Sequence, residues 1–243
     1  MSGIAAEVLS HPSVKRLKRV AEALGDLAPR IVFIGGSIAP LLQTVPPFDE
    51  ARPTKDVDGV VATAAYSEID VLHAALRARG FRQPPSESAH VHRWRSPHDD
   101  PLDLVPAGSH LGGSGQLWDQ IALDAPTSAD LGDGVIIRHA GGPTFLALKW
   151  AAYADRGSDD PYASHDLEDI LALVASRPAL VVEVSESPPV LRDFVGSTSA
   201  ALLADPRLRD ILAGHLNNAQ DPHGTADLVL GRLREIRTLA LRE

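Results

Sequence analysis

The chain opens with apolar residues at helical spacing, Ile4, Val8, Leu17, Val20 and Leu24, and Pro12 either interrupts this pattern or starts a second helix. Residues 31–34, Ile-Val-Phe-Ile, are short, β-branched and uniformly apolar, which predicts a buried strand. The strand runs into Gly35, Gly36 and Ser37, and a helix beginning near Ser37 could hold Ile38, Leu41 and Leu42. A proline-rich loop, 44–53, then breaks it. Residues 57–61 predict a second strand, and 66–79 a helix carrying Ile69, Leu72 and Leu76 with a stop at Gly80. Residues 90–95 and 102–106 predict two strands around a turn at 96–101. Residues 106–133, rich in Gly, Ser, Pro and Asp, read as a long connection with a short helical turn at Leu117, and 134–139 as one more strand. From Thr144 the pattern is helical almost to the end, with breaks near Pro161, Pro178, Pro188 and Pro206. The order is mixed α and β over residues 1–140, then nearly all α over 141–243, an α+β chain in two regions.

Composition changes this picture mainly by exclusion. A hydrophobic content of 44% is enough to bury a core. No apolar run is long enough to cross a membrane, and the N-terminus does not read as a signal peptide. The absence of cysteine removes disulfides, thiolate catalysis and Cys-based zinc sites, and a cytoplasmic location fits. A net charge of -9 argues against indiscriminate nucleic-acid binding, although two basic clusters stand out: Lys15, Arg16, Lys18 and Arg19, and Arg232, Arg234 and Arg237.

The candidate chemistry lies in the acids. Alternation along a strand puts Asp56 and Asp58 on one side, where two negative charges repel unless a cation or a pairing group compensates. Mg²⁺ often takes only one or two carboxylates and leaves room for substrate phosphates. Asp103, between Leu102 and Leu104, either lies on the exposed face of an edge strand or is paired or metal-bound. Gly35 and Gly36 allow a sharp turn and a close backbone approach to a ligand, while Ser37 could cap the following helix and offer a hydroxyl to phosphate. Lys149, near the apolar stripe of its helix, must snorkel outward or meet an anion, either a triphosphate or a carboxylate. Asp166 either favours a helix start or acts in the site. His90 and His92 alternate on one strand, but no third ligand stands at sensible spacing.

The strand with Gly35-Gly36-Ser37, the segment Arg52, Thr54, Asp56, Asp58, and Leu102-Asp103-Leu104 together resemble the DNA polymerase beta-like nucleotidyltransferase superfamily. The R-x-[S/T]-x-D-x-D pattern, with Lys149, Arg156, Asp166 and Asp169 further on, is similar to the AbiEii-type toxin branch. The resemblance covers roughly residues 30–175, with His165 where a basic residue is expected. It implies a short mixed sheet with flanking helices, followed by an α-helical C-terminal region. It also implies a metal-dependent nucleotidyltransferase using Mg²⁺, or alternatively Mn²⁺. Asp56, Asp58 and Asp103 would hold metal, with Asp103 also helping to deprotonate the acceptor hydroxyl. Gly35, Gly36, Ser37, Arg52 and Lys149 would bind the nucleoside triphosphate, and Lys149 and Asp166 join the catalytic set. The partners it implies are an NTP, an RNA acceptor such as a tRNA end, and a cognate antitoxin. The rivals are a small-molecule nucleotidyltransferase of the antibiotic-modifying kind, whose cationic acceptor suits the acidic balance, and a catalytically silent nucleotide- or partner-binding module.

Overall fold

A computed structural model describes residues 4–47, 52–62, 66–84, 92–107 and 116–240. The chain divides into two compact units, one of Met1–Leu41 with Arg52–Gly141, the other of Leu42–Ala51 with Gly142–Glu243. The architecture is α+β: a six-stranded mixed sheet in the first unit and helices in the second.

In the first unit a short helix α1 (Ala6–Ser10) ends before α2 (Pro12–Leu24). Pro12 starts α2, because its missing N–H costs nothing in the first turn, and the His11 ring accepts a hydrogen bond from the Ser13 amide. The strands are β1 (Ile31–Ile34), β2 (Val57–Ala62), β3 (Arg93–Arg95), β4 (Pro101–Ala107), β5 (Thr127–Asp130) and β6 (Ile136–His139), in the order β3-β4-β2-β1-β6-β5. β1 pairs antiparallel with β2 and parallel with β6, and β2 pairs parallel with β4. Two antiparallel hairpins, β3–β4 and β5–β6, close the edges. Leu17, Val20 and Leu24 of α2, Ile31, Val32 and Phe33 of β1, and Trp94 and Leu102 of the β3–β4 hairpin are fully buried. Each such side chain contributes about 1.5–3 kcal/mol by leaving water. Among the described residues β3 pairs only with Pro101 to Asp103 of β4. α4 (Tyr66–Ala78) and α5 (Gln116–Asp124) complete the unit.

Three sequence-based expectations are corrected here. The connection 106–133 contains the nine-residue α5 and a strand, β5. Its Thr-Ser-Ala-Asp sequence has no apolar alternation, and this edge strand exists because β6 offers it hydrogen bonds. After Gly35 comes a 3-10 turn, Gly36–Ile38, and then only four residues of helix, α3 (Ala39–Leu42). Ser37 caps nothing, and its buried hydroxyl points back at the Ile34 carbonyl. His92 precedes β3, its carbonyl accepting from the Leu104 amide, while His90 and part of the 106–133 stretch lie outside the described residues.

The second unit carries α6 (Gly142–Ala152), a π-helical turn (Tyr153–Gly157), α7 (His165–Ser176), α8 (Leu180–Ser185), α9 (Pro189–Ala204), α10 (Leu208–His215) and α11 (Pro222–Leu239). Breaks fall near Pro161, Pro178, Pro188 and Pro206 as expected, a further one at 216–221 separates α10 from α11, and Pro189 and Pro222 sit in the first turns of α9 and α11. α11 packs on α9 and α7. Gly196 permits the close approach to α9, since a Cβ there would lie 2.6 Å from that of Ala240. The Arg232 guanidinium donates to the Val174 and Ala175 carbonyls at 2.6 and 2.8 Å, satisfying the last turn of α7.

Candidate active site

The first cluster is built by strand register. Asp58 stands opposite Ile34 on β1 and in register with Asp103 on β4, while Asp103 stands opposite Arg93 on β3. Register partners share a face of the sheet, so Asp58, Asp103 and Arg93 face the same side. Asp56 lies two residues upstream, one residue before β2 begins, with Oδ1 accepting from the Thr54 hydroxyl at 2.9 Å. The Gly35 turn, at φ 71°, lies directly against the Asp58 carboxylate: a Cβ added there would be 2.0 Å from Oδ2. Only glycine serves at that position, both for its left-handed backbone and for its missing side chain. Gly36 is also close-packed, since an added Cβ would meet Thr54 at 3.4 Å. Arg52 is half-buried.

Arg93 is the residue that sequence reading missed. Its Nε donates to Asp103 Oδ1 at 2.8 Å and its Nη2 to Oδ2 at 2.5 Å, a two-pronged pair. Hydrogen bonding to Asp103 and that residue's charge, and then the charges of Asp56 and Asp58, hold the guanidinium protonated well above its ordinary range. The three acids are therefore within electrostatic reach of one arginine. A signal for it existed: a hairpin turning at 96–100 forces Arg93 opposite Asp103.

The donor set was tested against a divalent cation. Asp56, oriented by Thr54, and Asp58, seated over a glycine, fit the one or two carboxylates that Mg²⁺ commonly takes. Asp103 does not complete the set as found, because both of its oxygens are engaged by Arg93. Among the described residues no three acidic or histidine side chains converge on a point that could hold a metal ion.

The second cluster belongs to the second unit. Lys149 on α6 meets Asp166 Oδ1 at 3.0 Å and Asp169 Oδ2 at 2.6 Å, and its side chain is only 11% exposed. The lysine thus meets carboxylates rather than snorkelling. Burial pulls its pKa down, but Asp169 and Asp166 outweigh burial and hold it above its ordinary value. Arg156, in the π-helical turn, donates to Asp166 through Nε and Nη2 at 2.9 and 3.1 Å. Burial pushes the Asp166 carboxyl up, yet Lys149 and Arg156 together bring it below the usual range. Ser164 caps α7 by accepting from the Leu167 amide, which leaves Asp166 free of that duty. Near this network a cavity of about 340 Å³ is lined by Trp150, Tyr153, Thr198 and Leu202.

The N-terminal basic cluster is largely neutralised within its unit, and the C-terminal one is not. Arg19 is bound in two-pronged fashion to Asp100 at 2.9 and 2.6 Å, and Arg16 approaches the same carboxylate at 3.4 Å. Lys18 pairs with Asp133 at 2.5 Å. Arg232 caps α7, and burial lowers its pKa, whereas Arg234 and Arg237 are exposed.

No family model matches the chain, and no curated protein matches it significantly. Solved structures do. JHP933 from Helicobacter pylori shares 12% identity at a TM-score of 0.50, over 98% of this chain and 95% of that one. A second H. pylori protein, provisionally named a nucleotidyltransferase, shares 12% identity at a TM-score of 0.47, over 99% and 100%. At this identity, the likeness to JHP933 shows a common fold. Among the described residues no helix is long and apolar enough to cross a membrane.

Proposed function

We propose that the chain is a metal-dependent nucleotidyltransferase that moves a nucleoside monophosphate from an NTP to an acceptor hydroxyl. The observation that carries this reading is the acid face of the sheet: Asp58 in register with Asp103, Asp56 two residues upstream, and Gly35 closed against Asp58. Asp56 and Asp58 would hold the metal. Bound Mg²⁺ supplies positive charge to the phosphate oxygens and to the leaving diphosphate. Thr54 fixes the Asp56 rotamer, so the pair is oriented before the substrate arrives. The Gly35–Gly36 turn leaves room for a phosphate to approach the main chain. Asp103 would accept the proton of the acceptor hydroxyl once its oxygens are free.

The resemblance to toxin enzymes makes an RNA end the first acceptor to try. One observation favours the small-molecule reading as its rival: three of the four N-terminal cations are paired within the fold, which leaves few to grip a phosphate backbone. Incubation with each labelled NTP, Mg²⁺ and either total RNA or an aminoglycoside separates them. Label in RNA supports the toxin-like reading, and label only on the aminoglycoside supports the rival. No labelled product with any NTP leaves the binding-module reading standing.

A further inference from the structure

The Arg93–Asp103 pair is set by the backbone. β3 is the edge strand, its neighbour β4 carries Asp103, and antiparallel register places the two residues opposite each other. Both Asp103 oxygens are satisfied by one guanidinium, and Asp58 stands in register beside Asp103 on the neighbouring strand. Three carboxylates on one sheet face repel, and a fixed cation relieves that repulsion before any metal arrives. The pair is also partly open to solvent, with the side chains 43% and 22% exposed. Partial exposure lets a ligand reach the pair, and a divalent ion can compete for a carboxylate that a two-pronged guanidinium holds.

We infer that Arg93 is a built-in counter-cation that withholds Asp103 from the metal set, so that a divalent ion is first held by Asp56 and Asp58 alone and Asp103 becomes available only when Arg93 releases it. This rests on the metal-dependent reading given above and adds a positioning role for Arg93. A divalent ion and Arg93 then compete for Asp103, and the arginine sets which acid is free at each stage.

The test is a Mn²⁺ titration of the full chain without nucleotide, with free Mn²⁺ followed by electron paramagnetic resonance. Asp103→Asn should weaken Mn²⁺ binding only a few-fold, through the lost negative charge beside Arg93, and far less than Asp58→Asn. Arg93→Gln should raise affinity about 3- to 10-fold by removing a like charge and freeing a ligand. Arg93→Gln combined with Asp103→Asn should lose most of that gain. Arg93→Lys, which keeps the charge but not the two-pronged geometry, should fall between wild type and Arg93→Gln. Thermal melts should show Arg93→Gln less stable than wild type without metal and disproportionately rescued by Mn²⁺. A loss in Asp103→Asn as large as that in Asp58→Asn overturns the inference alone, because Asp103 is then a resident ligand. An equal gain from Arg93→Gln with or without Asp103 also overturns it. Mn²⁺ binding indifferent to Asp56→Asn and Asp58→Asn overturns both this inference and the metal site beneath it.

Discussion

In the first unit Asp103 meets Arg93 with 22% and 43% of the two side chains exposed, whereas in the second Lys149, Asp166 and Asp169 are 11%, 7% and 8% exposed. Both clusters neutralise carboxylates with a nearby cation, but at different depths. Burial strengthens charge interactions and raises the cost of an unpaired ion, so the second network behaves as a fixed structural unit. Exposure weakens the pair and lowers the cost of breaking it, so the first can be rearranged by a ligand. The difference teaches that an acid in an apolar setting is not by itself a sign of chemistry. What matters is whether its cation can leave.

The contrast can be broken most forcefully at Lys149. Lys149→Met should cost about 3–5 kcal/mol, because it removes the buried cation that Asp166 and Asp169 share. Denaturant unfolding measures this, and a loss under about 1 kcal/mol would place the lysine on the soft side of the comparison. Normal stability with weakened nucleotide binding would instead favour the phosphate role expected from the sequence. The pH dependence sharpens the same point. The folded pKa of Asp166 is lowered, so its contribution is full above the unfolded value near 4 and drains as pH falls below it. Lys149 is raised, so its contribution is full below 10.5 and drains as pH climbs through the folded value. Asp166→Asn should therefore flatten the acid limb of a stability–pH curve and shrink the alkaline limb only in part, since Asp169 still holds Lys149.

Asp100 tests an intermediate case, a 7%-exposed carboxylate whose partner Arg19 is largely exposed. Asp100→Ala should cost about 1–2 kcal/mol, since the arginine left behind can turn into water. Asp119 on α5 points the other way. Burial pushes its carboxyl up to about 6. A raised acid pKa means the folded state disfavours the charge, so the cost is absent below pH 4 and full above about 6. Asp119→Asn should raise stability by about 1–2 kcal/mol at pH 8, discounted for partial exposure, and by almost nothing at pH 4. An equal gain at both pH values would mean the effect is packing and not charge.

The smallest stability effect belongs to the open cluster. Asp56→Asn and Asp58→Asn each relieve repulsion in the metal-free chain, so stability should hold or rise by less than about 1 kcal/mol while transfer is lost. Mg²⁺-dependent transfer surviving both changes would remove the pair from the metal role.

The strands at Ile31–Ile34 and Val57–Ala62 were legible because apolar β-branched runs leave few other places to go, and the helices after Gly142 because proline cannot continue a helix. The Gly35 turn was legible for the same local reason, whereas Asp56, expected on the strand with Asp58, lies one residue before β2. β5 was not, because Thr-Ser-Ala-Asp has no strand signal of its own and is held by β6. The short helix after Gly35 was misjudged, since apolar spacing at Ile38, Leu41 and Leu42 does not reveal a 3-10 turn. Sequence by itself determined which residues carry charge and which local segments must be buried. Tertiary structure decided the cation for each acid, putting Arg93 on Asp103 by strand register and Lys149 on Asp166 and Asp169 by helix packing. Charge pairing depends on distances of a few ångströms: a one-residue change in the hairpin turn moves Arg93 off Asp103, and the packing of two helices sets Lys149 on its acids.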